Sequence, residues 1–221
     1  MFDITKLALI IPNFLTNQEC DSLIQEFNQR NEESKAEESL SYKTNLVEKS
    51  SFKVVSLNPT TPNFNLIKEK TKKSIEAYVD YLDQPKYFFM DALKTNLRYS
   101  HSYRIMKYKV GAYIHPHSDH RPYTYGSITF NLNDDYEGGE FKFFNGKYIV
   151  KLKKGDALIF PSDYFWVHEV SPVTKGNRYS VNSFIGAYPD SVIRQSLITT
   201  HGLYSYHREV TPTEKLLGPY N

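Results

Sequence analysis

Residues 140–160 read EFKFFNGKYIVKLKKGDALIF, three short strand-like runs separated by two turns. Glu140 to Phe144, Tyr148 to Leu152 and Ala157 to Phe160 have strand length and β-favouring side chains. Asn145-Gly146 and Lys154-Gly155-Asp156 supply the small and polar residues that tight turns require. The same rhythm extends outward over Leu97 to Ala187, adding Tyr103 to Val110, Tyr113 to His117, Ser127 to Leu132, Trp166 to Val170 and Tyr179 to Ile185. Eight short strands at this spacing predict a sandwich or barrel, most economically a double-stranded jelly roll (double-stranded β-helix).

Ahead of this region the pattern is mixed. A short apolar strand is expected over Leu7 to Ile11, and Thr16-Asn17-Gln18-Glu19 reads as a capping box that opens a helix. Cys20, Leu23, Ile24 and Phe27 then recur at helical spacing, with Cys20 as buried filler. A second helix is predicted from Phe64 to Asp83, with Ile67, Ile75, Tyr78, Val79 and Leu82 on one face and Pro85 closing the region. Residues 31–51 are polar and aperiodic, a solvated loop or a lid, and Phe52 to Leu57 follows as a strand. The stretch from Pro189 to Asn221 has no readable pattern; packing on the jelly roll, covering a site and pairing subunits all stay open for it. The expectation is one mainly β domain with flanking helices over residues 1–221: support in 1–100, jelly-roll core in 101–188 and an extension in 189–221.

Composition narrows the partners. With 27 basic against 25 acidic residues there is no electrostatic case for nucleic acid or a membrane surface. No apolar run approaches the roughly 18 residues of a membrane span, and the start lacks the basic, long-apolar form of a secretory signal. Cys20 is the single cysteine, which excludes an internal disulfide and fits a reducing, cytoplasmic setting.

Inside the predicted jelly roll stand His117-Ser118-Asp119, a distant His168, and Arg178 ten residues further on. Side chains alternate along a strand, so His117 and Asp119 point the same way. A third ligand 49 residues after Asp119 must come from another strand folded back over the first. Two neutral imidazoles and one carboxylate on one side of an ion leave positions open on the other, the facial triad of non-haem Fe(II) sites. Fe(II) with one aspartate keeps one positive charge and Arg178 adds a second, so a dianionic keto acid such as 2-oxoglutarate would neutralise the site. His115-Pro116-His117 offers a competing His-x-His pair of the cupin kind. The glutamate that reading needs is missing, because Arg121 and Pro122 stand in its place, and His115 and His120 are expected at the rim or surface.

Tyr108-x-x-Gly111, His117-x-Asp119, Tyr136-x-Gly138-Gly139-Glu140, Lys154 to Phe160 and His168 to Arg178 closely resemble the prolyl 4-hydroxylase-like family of Fe(II)/2-oxoglutarate dioxygenases, nearest its bacterial and phage members. The match covers roughly residues 102–187, and Phe14 to Ile24 resembles the family's opening helix. The resemblance implies that His117, Asp119 and His168 bind iron and that Arg178 holds the distal carboxylate of 2-oxoglutarate. Tyr108 and Ser180 would be its hydrogen-bond partners, and Asn131 and Ser127, which share a strand face, would line that pocket. It implies hydroxylation of a C–H bond with O₂ as oxidant, release of succinate and CO₂, and ascorbate as an accessory. The leading substrate is a peptidyl proline, with Tyr113, Tyr123, Tyr125 and Trp166 as walls of an aromatic groove; a free amino acid or other small metabolite is the alternative. The short segment between Asp119 and Ser127, and the missing arginine motif near Lys43-Thr44, depart from the pattern on the substrate side only. Phe184, six residues after Arg178, stands where nucleic-acid demethylases of this kind carry a second arginine. A non-catalytic binding module would be expected to have lost a ligand or the arginine, and all four residues are present. Oligomeric state is left open.

Overall fold

The computed structural model describes residues 3–40, 47–84, 89–187 and 204–205. After a 3-10 turn at Ile4–Leu7 and strand β1 (Leu9–Ile11), helix α1 (Asn17–Gln29) starts where Thr16 predicts. Thr16 Oγ1 accepts from the Glu19 N–H at 3.2 Å and the Glu19 carboxylate accepts from the Thr16 N–H at 2.8 Å, satisfying two orphan donors of the helix start. Cys20, Leu23 and Phe27 form the buried stripe. Helix α2 (Phe64–Asp83) runs over the predicted span and buries the five predicted apolar residues; Pro85 lies outside the described residues. Buried Glu26 of α1 ties the helices together. One of its oxygens accepts from the Asn63 N–H at 3.0 Å and the Asn63 amide at 2.9 Å, and the other accepts from Arg30 at 2.8 Å. The charge is thus paired and hydrogen-bonded, as a buried carboxylate must be.

Residues 31–51 differ from the expected loop. After a 3-10 turn at Asn31–Glu33, strands β2 (Lys35–Leu40) and β3 (Val47–Ser56) pair antiparallel and extend the sheet, while Lys43 and Thr44 lie outside the described residues. A short helix α3 (Met90–Asn96), not expected from sequence, precedes the jelly roll.

All eight expected strands form. They are β4 (Tyr99–Tyr108), β5 (Ile114–His117), β6 (Thr124–Asn131), and, after a two-residue β7 (Glu137–Gly138), β8 (Phe141–Phe143) and β9 (Tyr148–Val150). Then come β10 (Ala157–Pro161), β11 (His168–Val170), β12 (Val173–Lys175), which pairs with β7, and β13 (Arg178–Gly186). The large sheet runs β1-β10-β6-β13-β4-β3-β2 and the small one β5-β11-β8-β9, so the chain passes back and forth between two antiparallel sheets as a jelly roll does. Of the C-terminal stretch, Tyr204–Ser205 (β14) is described and pairs with Ser100 and Tyr99.

Alternation along the large sheet divides the interior into two layers. Ile105, Ile128, Phe130, Ile159, Val181 and Ile185 face α1 and α2, where they pack with Leu23, Phe27, Ile67 and Tyr78. Met106, Tyr108, Leu158 and Phe160 face the small sheet and pack with Phe141, Phe143 and Trp166. The helices thus stiffen the outer face of the sheet, and the site is built on the inner face.

Candidate metal and co-substrate site

Strand β5 ends on His117, β11 begins on His168, and the two residues are directly opposed in the antiparallel pair. Their rings lie 4.4 Å apart, centre to centre. Asp119, two residues past His117, brings Oδ1 to 3.3 Å from His117 Nε2 and Oδ2 to 3.5 Å from His168 Nε2. One ligand atom from each residue lies within 4.8 Å of the other two. Ligands at right angles about 2.1 Å from an ion stand about 3 Å apart, so this spacing suits three donors on one face of a metal.

The hydrogen bonds aim these donors. His117 Nδ1 donates to the His115 carbonyl at 2.8 Å and His168 Nδ1 to the Trp166 carbonyl at 3.0 Å. A carbonyl only accepts, so each Nδ1 carries the proton and each Nε2 keeps its lone pair for a ligand. Ser127 Oγ donates to Asp119 Oδ2 at 2.6 Å. Burial raises the Asp119 carboxyl, but the two imidazoles and Ser127 outweigh it and hold it well below the usual range. Burial pushes His117 down, yet the bond and charge of Asp119 carry it up overall. For His168 burial prevails over Asp119 and the pKa falls, which favours the neutral, metal-ligating ring.

Arg178 opens β13 opposite Tyr108 of β4 and is 1 % exposed. Its guanidinium lies 4.8 Å from the Tyr108 ring centre and 5.4 Å from that of Phe141. Nη1 donates to Ser180 Oγ at 3.3 Å, and buried Nε has no partner. Among the described residues no carboxylate lies within ion-pair distance of it. Gly139, at φ +70°, makes room for it: a Cβ there would meet Arg178 Cδ at 2.8 Å, so the Gly-Gly pair of the sequence motif leaves space for the arginine stem. Burial pushes the Tyr108 phenol up to about 12, so it stays a neutral donor. Phe141 packs against both His168, at 6.2 Å, and Arg178, and so lines the space between the triad and the arginine.

The Asn131 amide faces the protein, donating to the carbonyls of Asn133, Leu152 and Lys153 and accepting from Tyr136. These bonds pin the following loop. One sequence expectation is corrected: Trp166 is 1 % exposed and packs against Phe143 and Phe144 in the inner core, so it is no groove wall. Alternation already carried that signal, because a strand that turns His168 inward turns Trp166 inward too. It also turns Phe165 and Val167 outward; these are exposed with Tyr164 on the loop before β11, and Tyr123 and Tyr125 are exposed about the start of β6. His115 and His120 are exposed as expected.

A sequence model of the 2OG-Fe(II) oxygenase superfamily matches residues 103–186. That part of the chain is similar to the superfamily, named for its use of 2-oxoglutarate and Fe(II), and the His-Asp-His donor set fits that metal. The chain also resembles named hydroxylases over part of its length. It is 35% identical over 89 residues to a PKHD-type hydroxylase of Idiomarina loihiensis, covering 37% of this chain and 40% of that one. It is 37% identical over 71 residues to mouse procollagen-lysine,2-oxoglutarate 5-dioxygenase 1, covering 32% of this chain and 10% of that one. The chain thus spans from a tenth to two fifths of the length of these two relatives. A Pseudomonas putida prolyl-4-hydroxylase shares the fold at TM-score 0.58 and 17% identity, with 83% of this chain and 94% of that one covered. So does the viral collagen prolyl hydroxylase of Paramecium Bursaria Chlorella virus-1, solved with 2-oxoglutarate, at 0.59 and 19%, covering 83% and 97%. A Trichoplax adhaerens prolyl hydroxylase solved with a hypoxia inducible factor peptide fragment aligns at 0.61 and 16%, covering 83% and 84%. No described helix is long and apolar enough to cross a membrane.

Proposed function

We propose that this protein is an Fe(II)- and 2-oxoglutarate-dependent dioxygenase that hydroxylates a C–H bond, with a peptidyl proline as substrate. The observation that carries the co-substrate is Arg178. A guanidinium sealed from water, with a free Nε and no carboxylate partner among the described residues, is costly unless an anion joins it. His117, Asp119 and His168 would hold the metal, and Arg178, Tyr108 and Ser180 would grip the far carboxylate of a keto diacid whose other end reaches the metal. With Fe(II), 2-oxoglutarate and O₂ bound, decarboxylation to succinate and CO₂ leaves one oxygen atom for the substrate C–H bond. The protein's own part is to aim the Nε2 lone pairs, fix the diacid in one orientation and keep water from the apolar floor of Phe141, Phe143 and Phe160.

The peptide part rests on the exposed rings Tyr164 and Phe165, on the loop that leads to His168, and Tyr123 and Tyr125, about the start of β6. Exposed apolar groups gathered beside a site mark a binding surface, and aromatic walls accept extended proline-rich chains at low ordering cost. A reducing, cytoplasmic setting suits both Fe(II) and the free thiol of buried Cys20.

The test is succinate release with Fe(II), 2-oxoglutarate and O₂, with and without ascorbate, against proline-containing peptides and free amino acids. A peptide that stimulates turnover should gain one oxygen on proline. Turnover stimulated only by a free amino acid would remove the peptide assignment and leave the chemistry. Ser127→Ala removes the bond that orients Asp119, and Mn(II) affinity should fall roughly 10–100-fold, as for other outer-shell partners of a metal. Unchanged affinity in a calorimetric titration would free Ser127 of that role.

A further inference from the structure

Further along the large sheet, Arg104 of β4 lies opposite Asn182 of β13. These two stand four residues along from Tyr108 and Arg178, towards the other end of the same face. Three contacts fix the Arg104 guanidinium. Nε donates to Asn182 Oδ1 at 3.2 Å, the group lies 5.1 Å from the Phe184 ring centre, and Nη1 is bonded to Glu37. Glu37 belongs to β2, with β3 standing between it and β4. The β2–β3 register shifts between Ala36 and Glu38, and the Glu37 N–H donates to Ser50 Oγ at 2.9 Å. This irregularity lets the carboxylate reach over β3 to Arg104. The hairpin is tied a second time by Ser51, whose Oγ donates to the Tyr113 carbonyl at 3.0 Å and accepts from the Tyr113 N–H at 2.9 Å. Tyr113 directly precedes β5, the strand that carries His117. The pair is not sealed, since the Arg104 and Glu37 side chains are 17% and 33% exposed.

We propose that Arg104, Glu37 and Asn182 form the subsite that holds a backbone amide of the substrate next to the residue being hydroxylated. This rests on the peptide-hydroxylase reading above. On β6, Thr129 pairs with Asn182 and Ser127 with Phe184, and Ser127 holds Asp119. Asn182 thus lies on the strand next to the one whose Ser127 holds Asp119, and Arg178 stands at the start of the same strand as Asn182. Its chemistry selects a neutral group that carries a donor beside an acceptor. Arg104 offers N–H groups to a carbonyl, and Glu37 and Asn182 offer oxygens to an N–H. A lone carboxylate meets the charge of Glu37 and a lone ammonium meets that of Arg104. A free amino acid carries both charges and would have to split an ion pair that a peptide amide can leave intact.

Arg104 is then a specificity-determining residue, and the test reads KM against kcat. Succinate release by the full-length, Fe(II)-loaded protein is followed with acetyl- and amide-capped proline-containing peptides and with free L-proline as probes. Capped peptides should stimulate the wild type. In Arg104→Gln the KM for the best peptide should rise at least about tenfold, the size of a lost charge-assisted hydrogen bond, while the KM for 2-oxoglutarate holds. Glu37→Gln, a near-isosteric change, should raise peptide KM in the same direction, and Arg104→Lys should recover part of the loss. N-methylation of one amide in the best peptide should weaken the wild type and add nothing in Glu37→Gln. Unchanged peptide KM in both Gln variants, or a fall in kcat alone, overturns the proposal. Peptide-independent turnover that no capped peptide raises also overturns it and leaves the dioxygenase reading in place. Absence of any succinate would sink the dioxygenase reading itself, and the subsite with it.

Discussion

Arg178→Met is expected to bind 2-oxoglutarate at least about a hundredfold more weakly than the wild type, and to melt at a higher temperature when no ligand is present. The two effects have one cause. The guanidinium is buried against Tyr108 and Phe141, donates to Ser180, and has no partner for Nε among the described residues. Removing a charged partner from a buried ionic contact costs about 3–5 kcal/mol, which gives the loss in affinity. Without the diacid the same charge is uncompensated, and an apolar chain of similar length relieves it. Each kcal/mol recovered should raise Tm by about 2–4 °C in a chain of this size. Arg178→Lys keeps a charge and loses the fork, so it should fall between the two. Calorimetry with 2-oxoglutarate and a thermal melt of the ligand-free protein check both halves. Wild-type affinity in Arg178→Met would assign the carboxylate to another residue.

His168→Ala and Asp119→Ala should each abolish 2-oxoglutarate turnover and weaken Mn(II) binding by more than about a hundredfold. Outer-shell partners alone are worth about 10–100-fold in metal affinity, and these residues would be direct ligands. His168 also packs between Phe143 and Phe160, with ring centres at 5.5 and 4.9 Å, so its removal opens a cavity as well. Asp119→Ala separates the two effects, because it deletes the carboxylate and leaves that aromatic packing in place. Wild-type Mn(II) affinity in Asp119→Ala would take it out of the triad.

The jelly roll was legible because its turns are written in glycine, asparagine and aspartate and its strands in β-favouring side chains. Asn145-Gly146 and Lys154-Gly155-Asp156 fall where β8, β9 and β10 are joined. The triad was legible because His117 and Asp119 sit two apart at a strand end, and the side-chain period then fixes their common direction. The β2–β3 hairpin was not. Lys35-Ala36-Glu37-Glu38 at the sheet edge has no apolar alternation, so nothing in the pattern sets a register. Helix α3 is short and its cap residue, Phe89, makes no side-chain capping bond, so no start signal marks it. Sharing a strand face with Ser127 says which way the Asn131 side chain leaves the backbone, and the nearby carbonyls decide what its amide bonds. Arg104 gave no signal because its partners lie 67 and 78 residues away in sequence.

The central claim is that the triad and Arg178 are two ends of one site for a keto diacid. The most direct measurement is calorimetric titration of the Mn(II)-loaded protein, without O₂, with 2-oxoglutarate and with pyruvate, which keeps the keto acid and lacks the distal carboxylate. The account predicts that 2-oxoglutarate binds at least about a hundredfold more tightly than pyruvate, and that removing Mn(II) weakens its binding. Equal affinity for the two acids, or binding of 2-oxoglutarate that ignores the metal, would contradict it.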